Sequence, residues 1–237
     1  MTQPTPGPQF VCHEYGDAAV LVDVVAENYE DRWRATQNLG RALREAGLPG
    51  LVDVVATYQN VVVSYDPLAM DRDSMLRAIA GLGGKPSIAR TPSRFVIPVV
   101  YGGESGPDLD EVASELGLDP GAVVELHTAS DWTVRFRGSP VAAPFVDGPR
   151  LPAPVARRRE PRVSVPAGSV AISGYQSTIY SASSPGGWRL IGRTPVALFS
   201  LEPPHVAYLP GDSIRFMPID ATEWSGWHGT LVDQSSQ

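Results

Sequence analysis

Between Pro161 and Leu198, three segments set glycine and proline beside polar side chains: Pro166-Ala-Gly-Ser-Val170, Ser184-Pro-Gly-Gly-Trp188 and Ile191-Gly-Arg-Thr-Pro195. Ser169, Gln176, Tyr180, Arg189, Arg193 and Thr194 supply donors and acceptors along this stretch. Its glycines, Gly186 and Gly187 among them, let a ligand or another chain come near the backbone, and each proline fixes its own φ. Such a surface is rigid and suits the wall of a β-barrel site. The same residues would serve equally as tight corners of a small barrel with its arginines outside.

Other candidate groups are fewer. His127 falls near the end of a predicted helix and just before a strand, the place of a general base, although a helix C-terminus also stabilises a charged histidine structurally. The four histidines never pair at metal-ligand spacing and Cys12 is the single cysteine, so no metal site is expected. Cys12 alternates with apolar neighbours and reads as a small buried hydrophobe; with no second cysteine it forms no intramolecular disulfide, which fits a reducing compartment. Ser105 lacks the Gly-x-Ser-x-Gly spacing of a nucleophile elbow, and no P-loop occurs. The Gly102-Gly103 turn reads as a strand-to-helix corner or an anion-binding backbone. The run Arg157 to Arg159, followed by Glu160 and Arg162, reads as a solvated loop or an anion site.

The elements that must position these groups follow from periodicity. Residues 17–25 read as a strand, 27–46 as a helix with Trp33, Thr36, Leu39, Leu43 and Ala46 on one face, and 51–57 and 60–65 as a hairpin. A second helix spans 71–82, capped by Asp71 or Asp73 and ended by Gly83-Gly84. The order β, α, β, β, α predicts a small ferredoxin-like α+β domain over 8–85. A glycine-, proline- and serine-rich linker is placed at 86–93, and the texture changes beyond it. A strand at 94–100 leads to a helix capped by Asp108, with Glu111 at capping-box spacing, and to a second helix from Asp119-Pro120 to about Thr128. Short strands from Trp132 onward predict an all-β barrel over 94–222. After Ile219 a poorly ordered tail is expected, assigned to 223–237, with Trp224 and Trp227 able to dock.

Length and composition agree with two soluble domains: 237 residues, 43% hydrophobic and 19% charged. The net charge of -7 argues against sequence-independent binding to nucleic acid. Neither a signal peptide nor an apolar run of transmembrane length is read, so a cytoplasmic protein with no membrane partner is expected.

Tyr101-Gly-Gly-Glu-Ser-Gly-Pro-Asp-Leu109, His127-Thr128 and the three segments of the opening stretch together resemble the family of the 5-oxoprolinase B component. That family also holds the Kip-type inhibitor of a sporulation histidine kinase and the proteins called allophanate hydrolase subunit 1. The resemblance runs from Tyr15-Gly-Asp17 to Gly211-Asp212. It implies an N-terminal α+β domain followed by a cyclophilin-like β-barrel. The implied activity is the ATP-dependent opening of 5-oxoproline to glutamate, shared with a C-type 5-oxoprolinase partner of the Kip A type and with the A component of the same enzyme. ATP would meet this chain directly or only within the complex. Arg193 and His127 are the implied catalytic groups; Ser169, Gln176, Tyr180, Gly186, Gly187, Trp188 and Thr194 would line the substrate cleft. Arg193 could hold a carboxylate or phosphate, or brace the barrel. The alternative is a regulator that binds a sensor histidine kinase without turnover. One stretch departs from the family pattern: over 138–148 only Gly138, Phe145 and Gly148 keep register, and Val141 and Ala142 replace a Pro-Gly pair. Loss of that glycine turn is expected.

Overall fold

Strand alternation and helical spacing build the first unit. The strands β1 (Gln9–Glu14), β2 (Ala19–Val25), β3 (Leu51–Ala56) and β4 (Asn60–Tyr65) form one antiparallel sheet in the order β1-β2-β4-β3. Val20, Val22, Val54, Val61 and Val63 point to one side, where the helices α1 (Tyr29–Glu45) and α2 (Arg72–Leu82) bury Leu39, Leu43, Met75 and Ile79 against them. Asn28 starts α1 by accepting the Asp31 amide at 2.9 Å, which moves the start past the expected residue 27. Asp71 caps α2 through the Ser74 amide at 2.7 Å. At Gly40 a Cβ would lie 2.7 Å from Ala56 Cβ, so glycine is what lets α1 lie this close to the sheet.

The strands β2 and β3 flank β4, as in a split β-α-β unit, so the ferredoxin-like reading holds with one addition. β1, which the sequence pattern does not reveal, occupies the edge beside β2 that the last strand of a βαββαβ chain would fill. The fold is a cyclic permutation of that order.

A computed structural model describes residues 7–84, 90–138 and 141–230. Residues 86–89 of the expected linker lie outside the described residues. The chain divides into two compact units, Met1–Arg90 and Thr91–Gln237.

The second unit is a closed barrel. Its strands are β5 (Arg94–Tyr101), β6 (Trp132–Gly138), β7 (Ala143–Asp147), β9 (Ser169–Ser173), β10 (Gln176–Ile179), β12 (Arg189–Arg193) and β16 (Ser213–Pro218), in the order β10-β7-β6-β16-β5-β12-β9. The pairing of β10 with β9 closes the ring, and β16 runs parallel to β5. The interior holds Phe95, Ile97, Val99, Trp132, Val134, Val146, Val170, Ile172, Ile179, Ile191, Ile214 and Phe216. The helices α3 (Leu109–Leu116) and α4 (Pro120–Thr128) add Val112, Ala113, Leu116 and Val123 to the same core. Outside the barrel, β8 (Arg162–Val165) pairs with β11 (Ser184–Gly186), and β14 (Phe199–Leu201) with β15 (Pro204–Val206).

Three expectations need correction. The segment after Ile219 is ordered as far as it is described: Ala221–Trp227 is a 3₁₀ helix begun by an Asp220–Glu223 capping box, and β17 (Gly229–Thr230) pairs with β13 (Val196–Ala197). Asp108 makes no side-chain cap for α3, because two guanidinium groups claim its carboxylate. The turn at Val141 and Ala142 is not lost; both residues hold left-handed backbone, φ 48° and 53°, without the glycine that would favour it.

Candidate functional site on the outer face of the barrel

Successive residues of a strand point to opposite sides, so β9 and β10 each supply both the inside and the outside of the barrel. Val170, Ile172, Ser177 and Ile179 face inward; Ser169, Ala171, Thr178 and Tyr180 face outward.

Inside, His127 is fully buried on α4, its ring packed between Phe216 and Trp132 at centroid distances of 4.3 and 4.9 Å. Ser177 donates to the Ala171 carbonyl at 3.1 Å, which leaves its oxygen to accept from His127 Nε2 at 3.0 Å. Nδ1 must then accept from the Tyr101 hydroxyl at 2.8 Å. The directions fix a neutral imidazole in the Nε2–H tautomer. Burial agrees, pushing the His127 pKa down to about 3 and the Tyr101 phenol up. The His127 carbonyl takes the Trp132 indole N–H at 2.8 Å. No lone pair or proton of this ring is left for a substrate. The geometry is that of a strut joining β5, α4 and β10.

Outside lies a second, smaller apolar cluster of Val165, Ala171, Tyr180 and Leu190, with Trp188 against it. The β8–β11 pair roofs it. Tyr180 fits beneath β11 only because Gly186 has no side chain: a Cβ there would lie 2.1 Å from the phenol oxygen. Burial raises the Tyr180 pKa, while the Trp188 amide and the charges of Arg157 and Arg162 oppose it. Beside the roof, Phe136 and Phe145 stack at 4.5 Å and Trp188 meets Phe145 edge-on at 5.4 Å. Gly138 leaves room for that stack, since a Cβ would lie 2.4 Å from the Phe145 ring. The neighbouring polar group is Asp147, which accepts from Arg135 Nε at 3.1 Å and from Gln176 Nε2 at 3.1 Å.

The outer face therefore brings together Tyr180, Gly186, Gly187 and Trp188, while Gln176 stands at the other end of β10, opposite Ser173. Ser169, Arg193 and Thr194 sit where β9 and β12 meet the Pro166–Gly168 turn, and Ser169 is the cross-strand neighbour of Tyr180, whose amide donates to the Ser169 carbonyl at 2.9 Å. There Ser169 and Thr194 are buried, Gly168 with φ 82° brings its backbone against the Thr194 carbonyl, and Thr194 Oγ1 accepts the Val196 amide at 3.2 Å. Arg193 donates through Nε to the Ala167 carbonyl at 3.0 Å, and its guanidinium lies 5.5 Å from the Trp224 ring centroid. Its terminal nitrogens carry no hydrogen bond among the described residues. Cys12, on β1, is half-buried, and burial raises its thiol pKa. No described group of three or more His, Cys, Asp or Glu residues could hold a metal ion. No helix among the described residues is long and apolar enough to cross a membrane.

Sequence reasoning misses the strongest charge cluster of the unit. Asp108 is 1% exposed and accepts four hydrogen bonds: from Arg158 at 2.9 Å, twice from Arg162 at 2.8 Å, and from the Leu190 amide at 2.7 Å. Burial alone would raise its pKa, but the Arg162 and Leu190 hydrogen bonds and the two arginine charges hold it below the usual carboxylate range. Part of the run 157–159 is thus an anchor for an internal anion. Arg189 belongs to the same seam, pairing with Glu111 and donating to the Ala156 carbonyl at 3.1 Å.

The family model described as carboxyltransferase domain, subdomain C and D, matches residues 10–209. The B component of 5-oxoprolinase from Escherichia coli O157:H7 is 37% identical over 219 residues, covering 87% of this chain and 95% of that protein. This chain belongs to the family of 5-oxoprolinase B components. The B component of Bacillus subtilis (strain 168) is 32% identical over 237 residues, 92% of this chain and 97% of that protein. Among solved structures, that of TTHA0988 superposes with a TM-score of 0.73 at 35% identity, over 86% of this chain and 40% of that one. The likeness to the B components thus spans the α+β unit and most of the barrel.

Proposed function

We propose that this chain is the B component of an ATP-dependent 5-oxoprolinase, which opens the lactam of 5-oxoproline to glutamate together with C-type and A-type components. The observation that carries the reading is identity of 37% spread over 95% of a protein named as a 5-oxoprolinase B component. ATP, bound in the complex, would supply a phosphoryl group to the lactam carbonyl oxygen and so make the ring carbon electrophilic enough for water.

This chain's own part is to bind and orient. The flat five-membered ring suits the aromatic corner of Phe145 and Trp188. Tyr180, buried beneath Gly186, fixes the floor under that corner, and the amide of Gln176, held on Asp147 at the other end of β10, offers a polar contact that does not move. Arg193, its Nε held by Ala167, can turn both terminal nitrogens toward an oxyanion. His127, neutral and fully bonded, holds the strands in register rather than moving a proton.

The test is release of ADP and glutamate from 5-oxoproline and ATP by this chain co-expressed with its partner components, beside an Arg193→Ala variant. Turnover that requires this chain and falls in the variant is the expected result. A well-folded, assembled complex without turnover would overturn it. The departure at Val141 and Ala142, in the connection between β6 and β7, favours a second reading in that event: a module that binds a histidine kinase.

A further inference from the structure

The connection between β7 and β8, residues 148–161, is bound down more firmly than its proline-rich sequence suggests. Leu151 and Val155 are buried in the barrel core, and Val155 bridges to Gly174. The two residues flanking Arg157 are each held twice. The Ala156 amide donates to Glu115 at 2.6 Å and its carbonyl accepts from Arg189 at 3.1 Å. The Arg158 amide donates to the Gly187 carbonyl at 2.8 Å and its side chain to Asp108 at 2.9 Å. Arg157 itself makes no hydrogen bond or ion pair among the described residues. Its guanidinium lies over the Gly186-Gly187 ledge, where a Cβ on Gly187 would stand 3.5 Å from Nη2, and its charge reaches Tyr180.

An arginine whose two chain neighbours are held by four bonds while its own head group is exposed differs from one on a loose loop, because the backbone's share of the ordering entropy is already spent and only the side chain remains to be ordered when a ligand binds. We infer that Arg157 is an oxyanion-binding residue of the outer-face site, taking a carboxylate or phosphoryl oxygen over the Gly186-Gly187 ledge. Arg193 stands near the other end of β8, beside Ala167, so the two guanidinium groups flank the β8–β11 pair from opposite ends. The ligand's source, the carboxylate of the lactam or a phosphate of the nucleotide, rests on the function proposed above.

The experiment compares wild type, Arg157→Ala and Arg157→Lys in the assembled complex, reading KM for 5-oxoproline and for ATP separately. Calorimetric titration of each compound into the same complexes accompanies it. Loss of one charge-assisted contact predicts a rise of roughly tenfold or more in one KM, with kcat within a few-fold. A rise for 5-oxoproline identifies the carboxylate and a rise for ATP the phosphate. Lysine should restore part of the affinity, since charge survives without the planar fork. Unchanged KM values and unchanged titrations in Arg157→Ala would overturn the inference while leaving the proposed function standing. If wild type binds but does not turn over, the function fails and the titrations alone decide on Arg157. Wild type that binds neither compound overturns both.

Discussion

Ser177 and Thr178 are neighbours on β10, yet they belong to two different regions, the inside and the outside of one barrel wall. Inside, the hydroxyls of Tyr101 and Ser177 and both nitrogens of His127 form a single directed chain in which every donor has its acceptor. Outside, Tyr180 is buried in an equally rigid floor, while Trp188 and the guanidinium groups of Arg157 and Arg193 at its two ends keep capacity to spare. Similar residue types therefore do opposite work. A buried polar group that has spent all its valence is architecture, and recognition is left to groups that rigid neighbours hold in place without saturating.

The contrast predicts where substitutions damage stability and where they damage turnover. The largest loss is expected at the seam: Asp108→Ala strands two arginines and should destabilise by about 3–5 kcal/mol in urea unfolding. A loss near zero would show those arginines to be solvated. Next comes the interior strut, where His127→Leu leaves the Tyr101 and Ser177 hydroxyls without their partner and should cost about 2–3 kcal/mol.

The strut also has a pH signature. Folded His127 titrates only at about 3, against 6.5 for a freely solvated imidazole, so between those values the unfolded chain binds the extra proton. Stability is full above 6.5 and falls as pH drops through that window. Asp108, whose pKa is lowered from 3.8, adds its own loss only below that value. An unfolding midpoint that stays level from pH 7 to 4 in wild type would break this account, and His127→Leu should flatten the upper part of the slope alone.

On the outer face the order reverses. Trp188→Ala should lower turnover roughly tenfold, about 1.4 kcal/mol in the barrier, while the barrel keeps its interior intact. The smallest effect is a gain: Ala142→Gly relieves a left-handed residue and should stabilise by about 1 kcal/mol.

Much of this is legible in the sequence where one periodicity rules. The face Trp33, Thr36, Leu39 and Leu43 stands at helical spacing and is buried accordingly. β1 escapes such a reading because Gln9–Glu14 is an edge strand with only Phe10 and Cys12 turned to the core, too short a pattern to stand out. Asp108 reads as a cap because its local spacing to Glu111 fits one; the competing partners, Arg158 and Arg162, are remote in sequence. The same limit hides the division between inside and outside. Composition marks His127 and Tyr180 alike as polar groups, and only the assembled barrel tells which side of the wall each one faces. The tail reads as loose since its docking site, β13 and the Arg193 guanidinium, is likewise formed by distant chain.

The parallel pairing of β16 with β5 bears on how the protein is made. It joins the first and last strands of the barrel, with Ser93 tied to Asp212 across 119 residues of chain. A ribosome must therefore release almost the whole unit before the ring can shut, and until then β5 and β6 each present an open edge able to recruit another chain. Any truncation that removes β16 should yield not a smaller barrel but an aggregating one.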